Sequence, residues 1–219
     1  MPKRTLPLVL LTGFAPFGGE TINPSWQAVS ALDGVRLQGH RIIARRLPVE
    51  FGASLLALRA AIRETSPELV VCVGQAGGRA QLSIERIAIN VDDARIPDNA
   101  DACPIDAPIV ADGPAAYFAT LPIKAILADL RAAGIPVGIS QTAGTYVCNH
   151  VFYGLMHALR NKPRIRGGFI HIPYVPEQAA RHPGAPSLPV ETATEALRIA
   201  LRTALTTTQD RRIAAGAEH

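Results

Sequence analysis

Leu69-Val70-Val71-Cys72-Val73 is five apolar residues in a row with no polar alternation, and so short a run reads as a β-strand buried on both faces. Such a strand belongs in a parallel sheet with helices packed on either side. Upstream, strand-like runs at 8–12 and 41–47 alternate with helical patterns at 24–32 and 52–64. Downstream come strands at 83–91, 137–140 and 169–172 and helices at 123–133, 146–160 and 190–205. This βα alternation predicts an α/β fold: a single-domain three-layer α/β/α sandwich with a mainly parallel twisted sheet. Residues 1–219 are expected to form one catalytic domain, with a long internal loop at 98–114 and a frayed tail from about 206 onward.

The composition fits that domain and narrows its partners. With 48% hydrophobic residues in 219, one core can be well buried. The 22 Lys and Arg are dispersed among 18 Asp and Glu, giving a net charge of +4 without a basic stripe, so no nucleic-acid partner is expected. The apolar run that follows Met1-Pro2-Lys3-Arg4 is broken by Pro7 and ends at Gly13, too early for an export signal or a membrane span. A cytoplasmic protein with reduced thiols is the expectation.

Three cysteines, Cys72, Cys103 and Cys148, form no CxxC pair, which argues against a disulfide framework and against a structural metal site. Cys72 lies inside the buried strand, where a thiol packs as a small hydrophobe. Cys103 precedes Pro104 in the long loop with nothing nearby to ionise it. Cys148 follows the turn Thr142-Ala143-Gly144-Thr145 and sits in the first turn of the helix marked by Val147, Val151, Phe152, Leu155, Met156 and Leu159. There the positive end of the helix dipole favours a thiolate and free backbone N–H groups can receive an oxyanion. The alternative is a buried cysteine on an amphipathic helix.

A cysteine nucleophile needs a base, and six histidines compete. At about 100° per residue, His150 lies roughly 200° and His157 roughly 180° around the helix from Cys148, so both point away from the sulfur. His40, His182 and His219 read as exposed. His171 ends a probable buried strand, at the edge where open α/β sheets build their sites, although a satisfied core histidine fits the same pattern. Within Ser83–Val91, alternation puts Glu85 on the face of Ile87, Ile89 and Val91, where a carboxylate requires a partner. An imidazole held in one tautomer would supply it; an ion pair with Arg86 or Arg95 is the competing reading.

The glycine-rich turns at 13–19 and 74–79 match neither a dinucleotide fingerprint nor a P-loop, and Phe14 and Phe17 suit an apolar pocket better than phosphate. A nucleoside- or phosphate-binding module is therefore the weaker alternative, and a cysteine amidohydrolase acting on another small lactam or amide a second.

Four blocks carry a resemblance: GFAPFGGETINPS (13–25), VGQAGGRAQLSIERIAINVDDARIPDN (73–99), SQTAGTYVCNH (140–150) and FIHIPYVPEQ (169–178). In content and order they resemble pyroglutamyl peptidase type I, also called pyrrolidone-carboxylate peptidase, a cysteine peptidase family. The resemblance implies hydrolysis after an N-terminal pyroglutamyl residue of a peptide through a thioester acyl-enzyme, with Cys148, His171 and Glu85 as the triad. It further implies Phe14, Phe17, Tyr146 and Val147 as walls of the ring pocket, Gln75 on the lactam and Arg95 near the cysteine. No metal or organic cofactor is implied, and a homotetramer is. Gln141 and Tyr146 depart from the residues more usual at their positions, and Tyr146 puts the polarity of the pocket in question.

Overall fold

The computed structural model describes residues 6–216; Met1–Arg4, His219 and the very end of the expected tail lie outside it. Fifteen elements follow one another: β1 Leu8–Phe14, α1 Pro24–Ser30, β2 Arg36–Leu37, β3 His40–Leu47, α2 Ala53–Thr65, β4 Leu69–Gln75, β5 Leu82–Glu85, β6 Ile87–Ile89 and β7 Ala116–Phe118, then α3 Ile123–Ala132, β8 Val137–Ser140, α4 Val147–Leu159, β9 Arg166–Ile172, α5 Pro176–Ala179 and α6 Val190–Thr206. The main sheet has the order β2-β3-β1-β4-β9-β5-β8. Its pairs are parallel except β2 with β3 and β5 with β9.

β4 lies at the centre and is buried along its whole length, as an apolar run without alternation requires. Val71 and Val73 point into one core with Val9, Leu11 and Ile170, closed by residues of α1, α3 and α6. Val70 and Cys72 point the other way with Leu10 and Phe169, under α2 and α4. Two helical layers thus cover one sheet, giving the three-layer α/β fold expected.

The strand expected over 83–91 is two strands. β5 ends at Glu85; Arg86 donates its N–H to Ser140 O and accepts from Ala119 N, and the chain then pairs with 116–118 in a separate ribbon. Arg86 is therefore a corner and not a mid-strand residue. Part of the tail expected to fray, residues 210–213, is held across α3. That helix starts at Pro122–Ile123 with no cap of its own, and Asp210 accepts from the N–H groups of Lys124 and Ala125 at 3.1 and 2.8 Å. A carboxylate there satisfies two orphan donors and the helix dipole together.

Candidate active site

The centre forms on the α4 face of the sheet, at the carboxyl ends of β4 and β9. In β9, Phe169 and His171 point to that face, and His171 is in register with Gly74 of β4. Gly74 leaves a gap: a Cβ on it would lie 2.8 Å from Cys148 Sγ and 2.8 Å from Phe169 Cζ. The thiol therefore rests on the bare backbone of Gly74, one strand spacing of ~4.8 Å from the strand that carries His171. Gly74→Ala should push the sulfur off this seat. A displacement near 1 Å can cost ~100-fold in rate, so kcat/KM is expected to fall by about that factor with kcat carrying the loss; an unchanged kcat would show that the seat does not matter.

β5 runs antiparallel to β9, with Ser83 opposite His171 and Glu85 opposite Phe169, so Glu85 approaches the imidazole diagonally. His171 Nδ1 donates to Glu85 Oε1 at 2.7 Å, and both side chains are buried. Since a carboxylate only accepts, Nδ1 carries the proton and Nε2 is left as the basic nitrogen. Glu85 has a second partner that the sequence did not reveal. It is neither Arg86 nor Arg95: Arg79 Nη1 donates to the same Oε1 at 2.7 Å.

The other histidines among the described residues are engaged elsewhere. His150 accepts from Gly52 N–H through Nε2 and donates to Asp92 through Nδ1 at 2.7 Å, on the side of α4 away from the sulfur. His157 is hydrogen-bonded with Tyr117, His40 with Glu68 and His182 with Glu20.

Cys148 is the second residue of α4, whose N-cap Tyr146 offers no side-chain cap, so the first-turn N–H groups keep free donors beside the sulfur. The turn before the helix is tied down. Gly144, at φ +79°, makes a bend that a side chain would resist, and Asp93 N–H with Thr145 O and Thr145 Oγ–H with Asp93 O form a reciprocal pair. Asn149 fixes the helix from behind by bonding the backbone of Ile89 and Val91.

The helix dipole expected to favour a thiolate is opposed by the surroundings of the sulfur. Burial pushes the Cys148 thiol up to about 12, the charge of Glu85 adds to the rise and Arg79 opposes it. Dipole stabilisation of ~0.3–1 kcal/mol is less than one pKa unit, ~1.4 kcal/mol, so desolvation wins. A thiol raised in this way could serve as a nucleophile only with a base beside it. Cys72 is pushed up to about 12 by burial as well, and Cys103 is an exposed loop thiol bonded to Ala94 O.

A narrow pocket opens beside the sulfur, lined by Phe14, Phe17, Asn23, Val49, Gln75, Tyr146, Val147 and Cys148. All four walls implied by the resemblance and Gln75 are there, whereas Arg95, implied near the cysteine, is exposed on the 91–98 loop and outside the lining. Its neighbour Ala94 turns inward, with its N–H bonded to Pro104 O, which leaves Arg95 facing solvent. Tyr146 does not make the pocket polar: its hydroxyl donates to Pro97 O at 3.0 Å, its ring packs against Phe17 and Phe51, and burial raises it to about 12.

Asn23 and Val49 were missed. Asn23-Pro24-Ser25 is a helix start with Pro at the first position, and Asn23 Oδ1 accepts from Ser25 N–H while Asn23 Nδ2 donates to Ala15 O. Ser25 Oγ in turn accepts from Phe14 N–H, which sets the aromatic wall; the capping pattern could have flagged it. Val49 had no such signal. Buried Gln178 donates through Nε2 to Gln75 Oε1 at 3.1 Å, which leaves the amide N–H groups of Gln75 available to the pocket.

A family model described as pyroglutamyl peptidase matches residues 8–207. A pyrrolidone-carboxylate peptidase of Cupriavidus taiwanensis is 63% identical over 216 residues, 98% of this chain and all of that protein; one of Klebsiella pneumoniae is 58% identical over 96% and 99%. Among solved structures, pyroglutamyl peptidase I of Bacillus amyloliquefaciens superposes with a TM-score of 0.93 at 50% identity, covering 96% of this chain and 100% of that one. A mutant pyrrolidone carboxyl peptidase from the hyperthermophile Pyrococcus furiosus gives 0.87 at 45%, covering 90% and 98%.

Proposed function

The chain belongs to the pyroglutamyl peptidase family, cysteine peptidases that remove an N-terminal pyroglutamyl residue, and from that premise we propose that Cys148, His171 and Glu85 are the reacting set. The observation that carries this reading is one juxtaposition: a thiol seated on Gly74, the register partner of His171, whose Nδ1 is held by a buried carboxylate, at the mouth of an aromatic pocket.

Pyroglutamate brings a flat, uncharged ring with one lactam N–H and one lactam C=O. Phe14, Phe17, Tyr146 and Val147 offer it apolar walls, and the Gln75 amide, oriented by Gln178, offers the lactam a polar partner. With the ring seated, the peptide carbonyl stands over Cys148. His171 Nε2 takes the thiol proton as sulfur attacks, and the carbonyl oxygen becomes an oxyanion facing the first-turn N–H groups of α4. Collapse breaks the C–N bond, and the amine leaves with the proton from His171. Water then gives a proton to His171 and attacks the thioester, releasing pyroglutamate and returning the proton to sulfur. Glu85 keeps the tautomer fixed and offsets the imidazolium in each half. Peptides carrying this N-terminus are the partners proposed. A homotetramer, which rests on the family resemblance, and a cytoplasmic setting belong to the same proposal.

Comparing pyroglutamyl-, prolyl- and glutaminyl-naphthylamide tests the pocket. A site with polar groups aimed at a lactam rejects an analogue lacking it by roughly 10⁴-fold, and an N-terminal ammonium enters this apolar lining uncompensated. The pyroglutamyl substrate is expected to lead both others in kcat/KM by at least about 10³-fold; comparable values for the prolyl substrate would refute the assignment of the ring pocket.

A further inference from the structure

Glu85 is wholly buried, and a carboxylate out of water needs a compensating charge. The hydrogen bond from His171 does not by itself supply one, because a neutral imidazole donates through Nδ1 as a charged one does. Arg79 does: it is the one permanently charged partner of Glu85 among the described residues, bonding through Nη1 the oxygen that also accepts from His171. Its Nη2 donates to Thr142 O at 3.3 Å, in the turn that leads into α4. One guanidinium thus bridges the acid and the segment that presents the nucleophile. We infer that Arg79 is a positioning residue for the reaction, holding Glu85 ionised and aimed at His171 while anchoring the turn that sets Cys148. The inference rests on Cys148, His171 and Glu85 being the reacting set.

The arrangement has an electrostatic consequence. Arg79 draws on the same oxygen as the imidazole and so moderates the pull of Glu85 on an added proton. Without it the buried carboxylate is left to His171 alone, protonated imidazole is favoured, and the base is free only at higher pH. The thiols on the same face of the sheet, Cys148 from α4 and Cys72 from β4, are both pushed up to about 12 by burial, so neither replaces the lost charge. Arg79 itself is about one-third exposed, so its removal opens a dent to solvent and leaves the sheet core untouched.

Arg79→Ala and Arg79→Lys, assayed on pyroglutamyl-naphthylamide across pH, test it. Arg79→Ala is expected to lower kcat/KM at neutral pH by roughly 10- to 100-fold, part of the 10²–10⁴ that a general base contributes. The acidic limb of its profile should move to higher pH, so that the deficit narrows as pH rises. Arg79→Lys should keep the limb near its original position, and added guanidinium ion should restore part of the alanine variant's activity. A profile of unchanged shape in Arg79→Ala, with or without a uniform loss and without rescue by lysine or guanidinium, would overturn the positioning role. If Cys148→Ser is inactive in parallel, that failure is confined to Arg79; an active Cys148→Ser would instead remove the premise.

Discussion

Replacing Cys148 by serine is expected to lower kcat/KM on pyroglutamyl-naphthylamide by at least roughly 10⁴-fold with the fold intact. Loss of the nucleophile in a hydrolase that works through an acyl-enzyme costs up to ~10⁶ in kcat. The size follows from the chemistry of this seat. A hydroxyl is a weaker acid and a poorer nucleophile than a thiol, and the first turn of α4 can stabilise only a charge that His171 first creates. The smaller oxygen fits the space over Gly74 that sulfur fills, so thermal unfolding should barely move. Activity within tenfold of the parent would mean that Cys148 is a packed core thiol and the reaction takes place elsewhere.

Glu85→Gln should have the second largest effect, a fall in kcat of about 10³–10⁴-fold, the scale seen when the orienting acid of a nucleophile–base–acid set becomes an amide. The shape is kept, but two things are lost. The amide can donate as well as accept, so it no longer forces the His171 proton onto Nδ1, and it offers no negative charge to the imidazolium. The same substitution leaves Arg79 facing a neutral group, so part of the structural tie is weakened too. Circular dichroism and a thermal melt separate folding from chemistry. A folded Glu85→Gln enzyme with near-normal kcat would reduce Glu85 to the structural partner of Arg79.

How far these residues were legible depended on whether their role leaves a periodic or local signature. The central strand could be read because burial on both faces forces an unbroken apolar run at 69–73, and Cys148 because a turn and an amphipathic stretch mark a helix start. Glu85 was found from strand alternation, yet the alternation was carried too far: the chain corners at Arg86, a backbone decision made by pairing with Ser140 and Ala119, which no local pattern encodes. His150 could be turned away from the sulfur by helix geometry alone, and its bonds to Gly52 and Asp92 agree. Arg79 was not legible. It sits in a glycine-rich loop, where direction is set only by what the folded sheet brings near, six residues from its partner in sequence and across a turn. The rise of the Cys148 thiol was hidden for a similar reason: the dipole is a property of the helix, but the larger desolvation comes from burial in the folded chain.

The central claim is that the pyroglutamyl group passes through a thioester on Cys148. Acid quenching of the enzyme during turnover of a pyroglutamyl substrate, followed by peptide mass spectrometry, tests it most directly. The account predicts one added pyroglutamyl group, lost under hydroxylamine, on the peptide that contains Cys148. The same group on the Cys72 or Cys103 peptide, or turnover with no acylated cysteine in a quench fast enough to catch the first cycle, would contradict it.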